Sequence, residues 1–187
     1  MHMPMVTRQW TAKDLASVPD DGNRYEIIDG DLFVTPAPTW RHQDAIGELF
    51  VILREYLRRE RVGHAVMAPA DVQFSARTVV QPDVFVVPLI DGRRPERFEE
   101  AGRLILAVEV LSQGTARADR VRKRTLYRQQ AVAQYWIVDL DARTFERSTP
   151  EDPRPEILVD DLTWKPEGAR VPLVIDLASY FATVLQE

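Results

Sequence analysis

The run Leu104-Ile-Leu-Ala-Val-Glu-Val-Leu111 is apolar throughout except for Glu109, and its length suits a buried strand. A carboxylate in that setting is expensive: an unpaired buried charge costs several kcal/mol or forces its own pKa up. A chain that keeps Glu109 there must supply compensation nearby. Upstream, Gln81-Pro82-Asp83 opens a second apolar run, and downstream lies a basic segment containing Lys123.

The segments around these runs predict a mixed α/β plan built on one sheet. Thr11-Ala-Lys-Asp14 has the form of a capping box with Asp in place of Glu, predicting a short helix to Val18 that Pro19-Asp-Asp-Gly22 ends. Arg24–Val34 reads as a hairpin turning at Asp29-Gly30, and Pro36-Ala-Pro38 breaks its second strand. Ile46, Leu49, Phe50, Leu53, Tyr56 and Leu57 recur at helical spacing and predict a long helix over Arg41–Arg61. Strands are expected at His64–Phe74, kinked at Pro69, then at Val79–Val87 and Leu104–Leu111, with Asp91–Gly102 a charged surface excursion. A helix over Thr115–Gln130 and a strand at Tyr135-Trp-Ile-Val138 follow, with Trp136 in the core. In the tail, Glu156–Val159 reads as a strand and Asp176 as the cap of a final helix to Leu185.

A length of 187 residues fits one domain over 1–187 with a substantial core. No apolar run approaches the roughly 18 residues of a membrane span, and Met-His-Met-Pro-Met-Val-Thr-Arg lacks a signal-peptide core. The absence of cysteine excludes disulfides, thiolate metal sites and cysteine nucleophiles, and suits a reducing cytoplasm. A net charge of −5 argues against nucleic-acid binding by the whole surface, so any such binding needs a locally basic region.

Side chains alternate along a strand, which puts Ile105, Ala107, Glu109 and Leu111 on one face. Asp83 shares its face with Phe85 and Val87, and Pro82 places it at a strand start, bulge or edge. If the two strands pair, both carboxylates enter one small space. Two acids, a magnesium ion and an ammonium group would polarise a phosphate, lower the pKa of an attacking water and stabilise the charged transition state. Each residue also has a plainer reading. Asp83 opens a strand, Glu109 pairs with a structural arginine, and Lys123 lies on a solvated helix face. The helix that follows Glu109 carries Arg117, Arg120, Arg122, Lys123, Arg124 and Arg128 against the single acid Asp119. Steps of three and four put Arg120, Lys123 and Tyr127 on one stripe, either a phosphate-contacting face or the solvated face of a packing helix. His42 reads as a capping residue, a phosphate contact or a proton shuttle, and Asp71 as a third acid if its strand neighbours that of Asp83.

Six segments in this order follow one pattern: Tyr25-Glu-Ile-Ile-Asp-Gly-Asp-Leu32, Pro36-Ala-Pro-Thr-Trp-Arg-His42, Val80-Gln-Pro-Asp-Val84, Val108-Glu-Val-Leu-Ser112, Asp119 through Lys123 to Leu126-Tyr127, and Tyr135-Trp-Ile-Val-Asp139. The pattern resembles the bacterial Uma-two family of restriction-endonuclease-like proteins, within the PD-(D/E)XK nuclease superfamily. The resemblance runs from about Trp10 to the C-terminal helix. It implies a restriction-endonuclease-like core, a mixed central β-sheet flanked by α-helices, with the N-terminal β-hairpin attached. It also implies Mg2+ as the metal, with Mn2+ as a substitute, held by Asp83, Glu109 and the Val110 carbonyl. The superfamily lysine normally stands two residues after the glutamate, where this chain has Leu111, and the resemblance makes Lys123 its replacement. His42 and Glu26 match family positions without an assigned role. Gln134 departs from the glutamate more usual before Tyr-Trp.

These observations lead to an expected Mg2+-dependent endonuclease acting on DNA. Asp83, Glu109 and Lys123 are its candidate catalytic residues, and Arg120, Tyr127 and His42 its candidate substrate contacts. A homodimer is compatible with cutting both strands. The alternative is a nuclease-like module that binds nucleic acid or protein without turnover. Two-carboxylate chemistry on a glycoside is a third reading, and it leaves Lys123 and the arginines without work.

Overall fold

The computed structural model describes residues 8–112, 114–152 and 154–186. Among these residues three sheets form, where the sequence predicts one. The largest has six strands in the order β10-β9-β8-β7-β6-β3: β3 (His64–Met67), β6 (Val84–Val87), β7 (Leu106–Val110), β8 (Gln134–Asp139), β9 (Thr144–Ser148) and β10 (Glu156–Leu158). Within it β7 and β8 are parallel, and the other neighbours are antiparallel. A four-stranded sheet in the order β2-β1-β5-β4 comprises β1 (Arg24–Ile28), β2 (Asp31–Thr35), β4 (Val72–Ser75) and β5 (Thr78–Val80). β11 (Asp161–Trp164) and β12 (Leu173–Asp176) form a separate pair.

Two prolines explain why two predicted strands are each divided between sheets. Pro82 has no N–H to give a ladder, and the Gln81 N–H before it turns aside to Glu26 Oε1 at 2.7 Å. The chain therefore leaves the four-stranded sheet after β5 and joins the six-stranded one at β6. Asp83 stands at that crossing. Ala68-Pro69 likewise separates β3 from β4, and the Ala68 N–H goes to the Asp83 carbonyl at 3.0 Å.

The helices conform to their local chemistry. Asp14 reaches back to the Thr11 N–H (2.8 Å) and hydroxyl (2.7 Å), but only a 3-10 turn, Asp14–Ser17, follows before Pro19. Helix α1 (Trp40–Glu60) is capped by Thr39, whose hydroxyl accepts the His42 N–H at 3.3 Å. A single turn, α2 (Phe98–Ala101), lies within the charged excursion and buries Ala101. The predicted helix after Glu109 has two parts, a π-helical segment Ala118–Lys123 and then α3 (Arg124–Gln129). Helix α4 (Leu177–Leu185) is capped by Asp176, which accepts the Ser179 N–H at 2.6 Å.

Apolar side chains on the two faces of the six-stranded sheet make two cores. Val84, Val86, Leu106, Val108, Val110, Trp136 and Val138 pack against α1, α4 and the β11–β12 pair. Phe85, Val87, Ala107, Tyr135 and Ile137 pack against Ile28, Val72 and Val80 of the smaller sheet and against Leu126 and Tyr127 of α3. The strand alternation puts Asp83 and Glu109 on this second face, between the sheets. Leu104 and Ile105, placed by sequence at the start of β7, precede it and fall outside its alternation.

Candidate active site

Extending the β6–β7 register, in which Val84 faces Val108, sets Asp83 directly opposite Glu109. Cross-strand neighbours of that kind have Cβ atoms about 5 Å apart, and both side chains are buried here. Asp83 Oδ2 accepts the Val110 N–H at 2.8 Å, while Oδ1 takes the Arg24 guanidinium at 2.8 Å. Arg24 also donates to the Gln81 carbonyl at 3.0 Å, which ties β1 to the sheet crossing. Burial presses the Asp83 pKa upward, but His42, Arg24 and the Val110 N–H outweigh it and hold the group below its ordinary value.

Lys123 reaches this space from the π-helical segment. Its Nζ lies 2.9 Å from both Glu109 Oε1 and Glu26 Oε2, and 3.7 Å from Asp119 Oδ1. The wide turn is visible in the Arg124 N–H, which bonds to the Asp119 carbonyl five residues back. Behind Glu109, the Tyr127 hydroxyl donates to Oε1 at 3.1 Å, and the Tyr135 hydroxyl donates to the Asp119 carbonyl at 3.1 Å. The two rings lie 4.8 Å apart, sealing the base of the site.

Glu26, Asp83, Glu109 and Asp119, all buried, are matched by two permanent cations, Arg24 and Lys123. That deficit of positive charge shows in the titration. Burial, then the carboxylates of Asp83, Asp119 and Glu26, drive the Glu109 pKa well above its usual range in spite of Lys123. Asp119 is raised chiefly by burial, and its Oδ1 has no hydrogen-bond partner. Burial opposes the charge on Lys123, yet Glu109, Glu26 and Asp119 raise its pKa overall.

The carboxylate and carbonyl oxygens gathered here are of the donor type that a hard divalent cation takes. Among the described residues no three His, Asp or Glu side chains form a ready metal cage. Magnesium does not require one, because it keeps several waters and takes one or two carboxylates plus phosphate oxygens. Asp83, Glu109 and the Val110 carbonyl are hard oxygen donors at facing positions of the β6–β7 register and the residue beside them.

The fold brings together Asp83, Glu109, Val110, Lys123, His42 and Glu26, and it separates others. His42 Nε2 lies 2.8 Å from the Val110 carbonyl and 3.4 Å from Asp83 Oδ2. A carbonyl only accepts, so Nε2 carries the proton, and the shorter contact is the hydrogen bond. Nδ1 is buried without a partner. Three other residues named from sequence stand apart from that group or are engaged within the protein. Tyr127 is fully buried and serves Glu109 from behind, so it offers no substrate surface. Arg120 gives one terminal nitrogen to Asp139 at 2.7 Å and its Nε to Glu146 at 2.5 Å, so those donors are engaged within the protein. Asp71 lies beside the other sheet, exposed and hydrogen-bonded to the Gln81 amide at 2.8 Å, so it is not the third acid. The further acids are Glu26 and Asp119. Arg24 and Tyr135 also escape sequence reasoning. A signal did exist for Arg24 and Glu26, which share one face of β1 with the buried Ile28. Asp119 and Tyr135 have no such mark.

A family model described as "Uma2: Putative restriction endonuclease" matches residues 12–178. Among solved structures, the chain resembles a "putative nuclease belonging to DUF820 from Anabaena variabilis ATCC 29413". That match has a TM-score of 0.76 at 18% identity and covers 93% of this chain and 98% of the other. No curated protein matches the sequence. The likeness establishes a nuclease-type fold, a mixed central sheet flanked by helices. With most of its length matched by that family model, the chain belongs to the Uma2 family of restriction-endonuclease-like proteins.

Proposed function

We propose that this protein is a Mg2+-dependent endonuclease that hydrolyses DNA phosphodiester bonds. The observation that carries this reading is the placement of Asp83 opposite Glu109, with Lys123 on the same glutamate. Asp83, Glu109 and the Val110 carbonyl would hold the ion, with Mn2+ an acceptable substitute. A bound divalent ion of this kind supplies Lewis acidity toward the phosphate and acidifies a coordinated water. Lys123 fixes the Glu109 carboxylate and contributes positive charge beside the site. Glu26 and Asp119 hold Lys123 in place. His42 orients the Val110 carbonyl through its Nε2–H.

The test is nicking of supercoiled plasmid by purified wild type and Glu109→Ala protein, in Mg2+, Mn2+, Ca2+ and EDTA. We expect Mg2+-dependent cleavage that falls at least 100-fold in Glu109→Ala, with folding checked by circular dichroism. Undiminished cleavage by Glu109→Ala would remove the assignment. A second reading, a nuclease-like module that binds without turnover, draws on the donors already on the ligand atoms. Arg24 occupies Asp83 Oδ1, and His42 occupies the Val110 carbonyl. Salt-dependent DNA binding without cleavage in any of these metals would favour it.

A further inference from the structure

The chain has four tryptophans, and one of them is left in water. Trp136 and Trp164 are buried in the core, and Trp10 carries the Arg8 guanidinium 4.0 Å from its ring. Trp40, the first residue of α1, is 89% exposed. Among the described residues no ring or cation stacks on it. A flat indole held out in this way is a surface on which another ring can stack.

The backbone around Trp40 is fixed on the candidate site from both ends. Thr35 of β2 pairs with Arg24, whose guanidinium holds Asp83 Oδ1 at 2.8 Å. From there Pro36 and Pro38, each with φ fixed by its ring, stiffen the arch that leads to α1. At its far end His42 Nε2 lies 2.8 Å from the Val110 carbonyl and 3.4 Å from Asp83 Oδ2. Beside it, Arg41 donates to the Leu140 carbonyl at 2.8 Å. Neighbouring residues of α1 thus grip the ends of neighbouring strands, β7 at Val110 and β8 just past Asp139. Leu140 stands two residues beyond Val138, the partner of Val110. A strand spacing of about 4.8 Å and a rise of about 3.3 Å per residue put it about 8 Å from Val110.

Trp40 and Leu140 line one surface hollow with Val184 and Leu185 of α4. Its volume of about 590 Å3 lies within the roughly 300–1,000 Å3 of sites that take small organic groups. The charges that line it cancel, Arg41 and Arg143 against Asp44 and Asp141. Arg41 is also paired with Asp141 at 3.2 Å, and Arg143 has an interaction of its own within the chain. An indole, apolar neighbours and no net charge suit a neutral planar group better than a phosphate.

We infer that this hollow receives an unpaired nucleobase next to the scissile phosphate, stacked on the Trp40 indole. The inference rests on the nuclease reading above and names the form of its substrate, a single-stranded segment of nucleic acid. The separation from Val110 is about the reach of one nucleotide. In a duplex the faces of each base are covered by its neighbours, so only an unpaired or extruded base can use the indole. Every base has such a face, so the hollow selects for strandedness and not for sequence.

The test measures fluorescence anisotropy with three labelled probes: a 12-nucleotide oligothymidylate, the same strand without its bases, and a 12-base-pair duplex. Ca2+ replaces Mg2+ throughout. Wild type should bind the oligothymidylate about tenfold more tightly than the abasic strand. Trp40→Ala should bind the two strands equally, and Trp40→Phe should restore most of the preference. Duplex affinity, Mn2+ binding and the thermal midpoint should match wild type in both variants, because the indole is exposed. Trp40→Ala that keeps the preference for bases, or that loses metal binding as well, overturns the inference. Wild type with no such preference, or with no binding to either strand, overturns it too. A change from dimer to monomer in Trp40→Ala, seen by light scattering, overturns it in favour of a second copy covering the hollow. These outcomes leave the nuclease reading intact, whereas wild type that cleaves no DNA in Mg2+ overturns that reading.

Discussion

At the scale of single residues, Glu109 is intelligible only with the groups around it. Its position in an apolar strand was legible from sequence, because a charge in such a run needs a partner. Lys123 was reached through the family pattern. Asp119 and Tyr135 were not legible, since an acid on a charged helix and an aromatic in an apolar strand each look ordinary until the fold brings them together. Removing Lys123 leaves Glu26, Glu109 and Asp119 without their shared cation, so Lys123→Ala should cost about 3–5 kcal/mol in urea unfolding. Reduced turnover in that variant must accordingly be read beside its stability. Glu109 gives a pH signature of known sign. Its pKa is raised in the folded protein, so its stabilising contribution is complete below the ordinary value of 4.5 and is lost as pH rises through the folded value. Without metal, Glu109→Gln should therefore flatten the decline of stability with rising pH above about 4.5, measured by denaturation across pH. Asp83 has the opposite sign: its lowered pKa contributes stability above its ordinary 3.8 that is lost on acidification.

At the scale of elements, periodicity marked α1, β7, β8 and α4 to within a few residues, because each buries a regular apolar face. It misjudged continuity at Pro69 and Pro82, where short strands on either side look alike in sequence but belong to different sheets. The π-helical segment was invisible for a related reason. Asp119 and Lys123 at a four-residue step suit an α-helix equally well, and only the hydrogen bond from Arg124 to Asp119 marks the wider turn. β9, β11 and β12 were missed: β11 and β12 are four-residue strands with every other residue exposed, and β9 has Phe145 among four polar or charged residues. The β1–β2 hairpin turns through Asp29 and Gly30, at φ of 53° and 88°. A Cβ on Gly30 would meet Gln9 Oε1 at 2.5 Å and the Arg77 guanidinium at 2.9 Å. Gly30→Ala should therefore lower stability by about 1–2 kcal/mol in thermal denaturation, and it acts on the hairpin that carries Arg24 and Glu26.

At the scale of the whole molecule, two sheets meet face to face and leave a buried, acid-rich seam where their chains cross at Asp83. Four carboxylates share that seam with two permanent cations, and under the proposed function a divalent ion supplies the further positive charge. A ligand that binds only the folded state stabilises it, by about 2.7 kcal/mol at a hundredfold excess over Kd. Mg2+ or Mn2+ should thus raise the thermal midpoint of the wild type by several degrees and leave that of Asp83→Asn unmoved in differential scanning calorimetry. The most direct test of the central claim, that Asp83 and Glu109 jointly hold a metal, is isothermal titration of Mn2+ into wild type and Glu109→Gln protein. Glutamine keeps the shape of the side chain, so a lost heat signal reflects lost charge rather than lost packing. The account predicts saturable binding near one ion per chain in the wild type and at least tenfold weaker binding in Glu109→Gln. Equal affinity in the two proteins, or no binding to the wild type, would contradict it.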